Sequence, residues 1–246
     1  MIVGFCGSGS MAAAMARGLA GEVGGMLFSD SGSGRAGELA AELGGEAVGS
    51  NAELAERVDV VVLAVKPAKL SEVAGELKAA KVVVSLLGAT SLETISAAFP
   101  NAEAVRVMPN VGVEVSKGVL CVAGALDPQV RGLLETLGHV VDLPDSQFDA
   151  ATAVMGCAPA YLALAVEAIA DAGAEDGLDA ELARELVVET TAGTAELLRV
   201  RHPADVRRAV ASRGGSTEAG LEALDREGVR EAFAAAVRAS LERMRG

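Results

Sequence analysis

The chain of 246 residues has no Trp, one Tyr and five Phe, so it offers no aromatic platform on which bases would stack. Its 21 Lys and Arg against 34 Asp and Glu leave a net charge of −13, and few cations to displace the counterions of a nucleic-acid backbone. Cysteine is scarce and scattered. Cys6, Cys121 and Cys157 form neither a disulfide framework nor a CxxC zinc pattern, which points to a reducing, cytoplasmic setting. The two histidines, His139 and His202, lie far apart in sequence, so no histidine-based metal site is expected. The first basic residue is Arg17, which leaves no signal-peptide n-region. Charges such as Glu167 and Asp171 interrupt the long apolar runs, so no membrane span is expected. No lysine occurs after Lys117.

What is present is small and apolar. There are 48 Ala and 29 Gly, and at 51% hydrophobic the chain is far too apolar to be disordered. Two rhythms divide it. Up to about residue 150, Val-rich runs alternate with helical stretches. The runs Ile2–Cys6, Met26–Ser29, Val58–Val65, Lys81–Leu86, Ala104–Met108, Val119–Ala123 and His139–Asp142 read as strands buried on both faces. Met11–Ala20, Gly34–Leu43, Leu70–Ala79 and Leu92–Phe99 read as the helices between them. Strand–helix repetition predicts an α/β unit, 1–150, with a parallel sheet. Beyond it, 151–246 reads as all helix: Pro159–Ala172, a helix capped by Asp179 and running through Leu198, Pro203–Ala211, Thr217–Arg226 and Val229–Met244. These helices are apolar around much of their circumference, which predicts burial against another subunit.

The first strand runs straight into Gly7-Ser8-Gly9-Ser10-Met11-Ala12, a G-x-G-x-x-A loop opening a helix. Gly7 permits the tight turn, Gly9 lets backbone approach a pyrophosphate, and Ala12 lets helix and strand pack closely. Free N–H groups at the helix start then face the anion. In this strand–loop–helix context the loop predicts a Rossmann-type dinucleotide site. Asp30, 21 residues after Gly9, stands where an acid would bind the ribose hydroxyls of NAD. Ser29, Ser31, Ser33 and Arg35 stand where they would cradle the 2′-phosphate of NADP, and Asp30 is equally suited to cap a helix.

Reduction of a carbonyl usually calls for a strong acid or base, often His or Lys, beside the oxygen. The helical half has no Lys and a single His, His202, at a helix start. A protonated imine is already electrophilic, so positioning and one hydroxyl suffice. The ordered motifs Gly4–Ala12, Leu63-Ala64-Val65-Lys66-Pro67, Arg106-Val107-Met108-Pro109-Asn110, Asp149–Ala153, Gly156 with Pro159-Ala160-Tyr161, and Ser212–Thr217 resemble pyrroline-5-carboxylate reductases. The resemblance covers essentially the whole chain. It implies reduction of the cyclic imine 1-pyrroline-5-carboxylate to L-proline with NADPH or NADH, a Rossmann domain, and a helical domain that interlocks two subunits into homodimers and decamers.

By matching position, the resemblance assigns Gly7, Ser8, Gly9, Ser10 and Met11 to the pyrophosphate and Asn51 to the adenosine half, beside the Ser29 already read as a 2′-phosphate contact. It assigns Ala64, Val65, Lys66 and Pro67 to the nicotinamide ribose. Ser212, Gly214, Gly215, Ser216 and Thr217 would hold the substrate, with the Thr217 hydroxyl relaying a proton to the imine nitrogen. Ser216 and Thr217 read equally as N-caps, and Tyr161 as a packing residue. The chain departs from the family pattern at Val111, Gly112, Met155 and Cys157, and at Arg213, where the motif has Pro. Two other functions fit the sequence: a reductase of another small imino or keto acid, and a nucleotide-binding paralogue without catalysis.

Overall fold

The computed structural model describes residues 1–245 and divides into two compact units. The first is Met1–Cys157 with the last turn of the final helix from Arg243 on; the second is Ala158–Glu242. The first unit has strands β1 (Ile2–Cys6), β2 (Gly25–Ser29), β3 (Glu46–Ala47), β4 (Val60–Leu63), β5 (Val82–Ser85), β6 (Glu103–Pro109), β7 (Gly118–Ala123) and β8 (Gly138–Asp142). Its helices are α1 (Ser10–Gly18), α2 (Arg35–Leu43), α3 (Asn51–Arg57), α4 (Leu70–Glu76), α5 (Leu92–Ala98), α6 (Pro128–Thr136) and α7 (Phe148–Ala151). Local chemistry sets their starts. Ser50 Oγ accepts from Glu53 N and Ser91 Oγ from Thr94 N, each at 3.1 Å, and Asp127 caps α6 ahead of Pro128.

The strands form one sheet in the order β3-β2-β1-β4-β5-β6-β7-β8. Valines of β4 and β5 are buried on both faces, as their unbroken apolar run requires. One core packs Phe5, Met15, Phe28, Val62, Val84 and Leu134, with the rings of Phe5 and Phe28 stacked at 5.3 Å. The other packs Leu54, Val61, Leu63, Val83 and Ile95. The expectation of a wholly parallel sheet is corrected at one joint: β6 and β7 pair antiparallel. The link between them holds only a tight 3₁₀ turn, Val111–Val115, and a parallel return needs a crossover of a dozen residues or more.

The first unit continues beyond residue 150 to Cys157. Phe148 is fully buried with Cys121 and Ala123, and Asn110 Nδ2 donates to Met155 O at 3.2 Å. Between them the chain widens into a π turn, Thr152–Gly156.

The second unit holds α8 (Ala158–Glu175), α9 (Ala180–Val200), α10 (Pro203–Val210), α11 (Ser216–Arg226) and most of α12 (Val229–Arg245). A turn through Gly177, at φ +102°, joins α8 to α9, whose start Asp179 caps at Glu181 N and Leu182 N. The Tyr161 hydroxyl meets Ser240 Oγ at 2.5 Å, pinning α8 to α12, so the only tyrosine is committed to packing. Among the described residues of this unit only Ala170 and Ala183 are buried. Within Asp145–Glu175 an 18-residue window reaches a mean hydropathy of 1.7, long and apolar enough to cross a membrane by length and composition only.

Candidate active site

Strand order reverses between β1 and β4, and ligands of open α/β sheets bind in the crevice outside the carboxyl ends of the strands at such a switch point. The loop Gly7–Gly9 follows β1 there, and Ala64–Lys66 follows β4. They are laced together, with Ala64 N donating to Cys6 O at 2.8 Å and Gly7 N to Ser29 O at 3.0 Å. Gly7 adopts φ +96°, and a Cβ on it would lie 2.6 Å from Ala64 O, so only glycine fits. Gly9 is the N-cap of α1, bonds no side chain to the helix's free N–H groups, and has nothing within 4 Å of where its Cβ would be. The first turn of α1 therefore presents uncapped donors to open space, a fit for a pyrophosphate. Ser8 is buried and its hydroxyl donates to Ser29 O, while Ser10 and Met11 begin the helix.

On the β2 side, Asn51 Oδ1 accepts from Ser29 Oγ at 2.6 Å and from Cys6 Sγ at 3.3 Å, and its Nδ2 donates to Glu76 Oε2 at 2.6 Å. One N–H of the Asn51 amide stays free for a ligand. Burial, reinforced by the Glu76 charge and only partly opposed by the Ser29 hydrogen bond, pushes the Cys6 thiol up to about 12. It stays protonated and acts as a donor, not a nucleophile. Sequence reading missed Glu76, which is one more surface acid on α4 until the fold brings it to Asn51.

Asp30 takes the capping role of the two that its sequence position allowed. Its Oδ1 accepts from Gly32 N at 2.7 Å and Ser33 N at 3.1 Å, and its Oδ2 from Ser33 Oγ and Ala36 N, each at 2.9 Å. These bonds, that from Ala36 first, hold its carboxyl below the ordinary carboxylate range. Arg35, with Ser8, Ser10 and Arg17, lines a shallow cleft of about 350 Å³ beside the glycine loop. A larger apolar groove of about 660 Å³ runs between α4 and α5, past Leu77 and Phe99, and meets the crevice loops only at Pro67.

After β4, Ala64 and Val65 are half-buried, Lys66 is exposed, and Pro67 opens a 3₁₀ turn, Pro67–Lys69. Further along the sheet Arg106 is buried. Its Nη1 donates to Asp145 Oδ1 at 2.8 Å and its guanidinium carbon lies 4.5 Å from the centre of the Phe148 ring. Among the described residues, its Nε is the one buried side-chain polar atom without a partner.

In the second unit, Ser212, Gly214, Gly215, Ser216 and Thr217 form the approach to α11. Gly214 takes φ +72°, and a Cβ on Gly215 would lie 2.5 Å from Ser212 Oγ. The N-cap is Gly215, without a side-chain cap, so Ser216 and Thr217 do not serve as caps. Gly214 N donates to Glu218 Oε2 at 2.6 Å, a contact with no signal in the sequence.

Comparison with known proteins matches residues 145–246 to the family described as pyrroline-5-carboxylate reductase dimerisation. Residues 2–88 match the family described as NADP oxidoreductase, coenzyme F420-dependent. A pyrroline-5-carboxylate reductase of Synechocystis sp. is 37% identical, over 78% of this chain and 76% of that protein. One from Thermus thermophilus is 36% identical, over 77% and 75%. A crystal structure of the Plasmodium falciparum pyrroline carboxylate reductase with NADP bound superposes at a TM-score of 0.87, with 26% identity, covering 99% of this chain and 97% of that one. Likeness of this extent, reaching through both units, decides the assignment: the chain belongs to the pyrroline-5-carboxylate reductase family.

Proposed function

We propose that the protein reduces 1-pyrroline-5-carboxylate to L-proline with NADPH as the preferred donor. The observation that carries this is the glycine-built opening at the sheet's switch point, in a chain of this reductase family. Gly7, Ser8, Gly9, Ser10 and Met11 bind the pyrophosphate, Ser29 and Asn51 the adenosine half, and Ala64, Val65, Lys66 and Pro67 the nicotinamide ribose. NADPH is favoured over NADH because Asp30 is spent on its own loop while Arg35 flanks the cleft.

Ser212, Gly214, Gly215, Ser216 and Thr217 hold the substrate. Bound nicotinamide supplies a hydride to the imine carbon. Thr217 relays a proton from water to the ring nitrogen, giving the protonated imine whose C=N bond becomes a C–N single bond, with its N–H, once the carbon takes the hydride. No lysine or histidine is required, since the protonated imine is itself the electrophile.

The helices of the second unit pair two copies, and the family resemblance extends this to a decamer, which sedimentation will size. The three cysteines are free, which supports a cytoplasmic setting.

The test is steady-state assay of purified protein. NADPH oxidation should depend on added 1-pyrroline-5-carboxylate; no turnover with NADPH or NADH overturns the proposal. A panel of imino and keto acids tests the substrate, and cofactor binding without turnover would reveal a non-catalytic paralogue.

A further inference from the structure

The stretch from Arg199 to Arg213 carries five arginines against one acid, Asp205, in a chain of net charge −13. Two of the five are spent on their own helices: Arg199 Nε lies 3.2 Å from Glu196 Oε2, and Arg208 pairs with Asp205. Arg201, Arg207 and Arg213 form no ion pair among the described residues. Arg213 is exposed and lies in the approach to α11, between Ser212 and Gly214.

In that approach the two glycine N–H groups are already occupied. Gly214 N donates to the chain's own carboxylate, Glu218 Oε2 at 2.6 Å, and Gly215 N donates to Ser212 O at 2.9 Å. An incoming carboxylate must displace Glu218 to reach Gly214 N, and meets Gly215 N already bonded within the loop. What the loop still offers is the unpaired guanidinium of Arg213, followed by the uncapped start of α11.

We infer that Arg213 is the substrate-binding residue that pairs with the carboxylate of the imino acid. The inference rests on the reading of Ser212–Thr217 as the substrate loop. A guanidinium presents a planar fork of donors that matches a carboxylate in two parallel hydrogen bonds. The partial positive charge at the start of α11 adds to it. Unpaired Arg201 and Arg207 widen the positive field around an otherwise acidic chain, which draws small anions toward the loop. Glu218 is an internal competitor, holding Gly214 N in the free protein.

The test measures KM for 1-pyrroline-5-carboxylate and for NADPH separately, in wild type and in R213Q, R213K, R201Q and E218Q. R213Q should raise the KM for the imino acid about tenfold, as loss of a charge-assisted pair does, with the KM for NADPH unmoved. R213K, keeping the charge but losing the fork, should fall between wild type and R213Q. R201Q should raise it less, and E218Q should lower it. Added salt should raise the wild-type value and leave that of R213Q nearly flat. An unchanged imino-acid KM in R213Q, or an equal rise in R201Q, overturns the inference while leaving the reductase reading intact. An inactive wild type overturns that reading and this inference with it. Because Arg213 is exposed, its replacement leaves the fold standing, and the NADPH KM reports that directly.

Discussion

In the first unit Phe5, Phe28, Met15, Leu63, Ile95 and Phe148 are wholly buried, whereas among the described residues of the second only Ala170 and Ala183 are buried, and neither completely. Leu162, Leu164, Ile169 and Val200 of the second unit are 59%, 64%, 60% and 80% exposed. The difference does not come from a lack of apolar residues, since α8 is among the most apolar segments of the chain. It comes from geometry. A sheet flanked by helices covers both its faces within one chain, giving two cores here. A helix apolar around much of its circumference must be covered on more than one side, and one neighbour such as α9 covers only one. The match of residues 145–246 to a reductase dimerisation family supplies the missing cover: a second copy. The switch-point crevice is thus built from elements of the first unit, while the exposed apolar faces of the second fit a homo-oligomer.

The sharpest way to break that contrast is Leu164→Glu. A carboxylate placed on a covered apolar face costs about 3–5 kcal/mol, and light scattering should find monomers. An oligomer of unchanged size would mean that this face of α8 meets solvent. Phe148→Ala strikes the opposite half, where an emptied aromatic site should cost about 3–5 kcal/mol in denaturant unfolding without altering subunit number. It also uncovers the buried Arg106, which should place the loss toward the upper end. Gly7→Ala forces an L side chain into φ +96° and against Ala64 O. A strain of about 3 kcal/mol should weaken NADPH roughly a hundredfold in a fluorescence titration.

Thr217→Ala should slow kcat about a hundredfold if its hydroxyl relays the proton, with NADPH affinity unchanged. The smallest effect is Asp30→Asn, which keeps one accepting oxygen but loses the charge and the second oxygen facing Ser33 Oγ and Ala36 N, worth about 1 kcal/mol. Its pH dependence has a definite sign. The folded-state pKa lies below the ordinary value, so the stabilisation is complete above the carboxylate range and is lost as pH falls through the depressed value. Urea melts of wild type and Asp30→Asn should therefore differ at neutral pH and converge in acid.

The major strands of the sheet were legible because Val-rich runs bounded by Gly and polar residues have few other ways to bury themselves. The two-residue strand β3 carries no such pattern and escaped notice. So did α6, although Asp127-Pro128 announces a helix start. Asn51, given a cofactor contact by resemblance alone, stands at the start of α3, which Ser50 caps, and this placement turns it back onto Ser29 and Cys6. In the glycine loop the demand for glycine was legible at Gly7, where φ +96° and Ala64 O leave no room for a Cβ; at Gly9 the protein itself imposes no such demand, since nothing stands within 4 Å. Partners across the fold were not. Nothing near Asn51 in sequence points to Glu76, and nothing near Arg106 points to Asp145, 39 residues away.

The scarcity of aromatics, cysteine and late lysine, with the G-x-G-x-x-A loop and the two rhythms, was enough by itself to specify a dinucleotide-binding α/β half and a helical half suited to imine chemistry. Those properties depend on composition and on spacing within a few residues. Only the tertiary structure decided that Asp30 caps its own loop, that Glu218 occupies Gly214 N, that β7 runs antiparallel to β6, and that among the described residues of the second unit only two alanines are buried. Each of these depends on which groups meet in space. A carboxylate goes to the nearest unsatisfied N–H, and an apolar face stays exposed until another surface covers it.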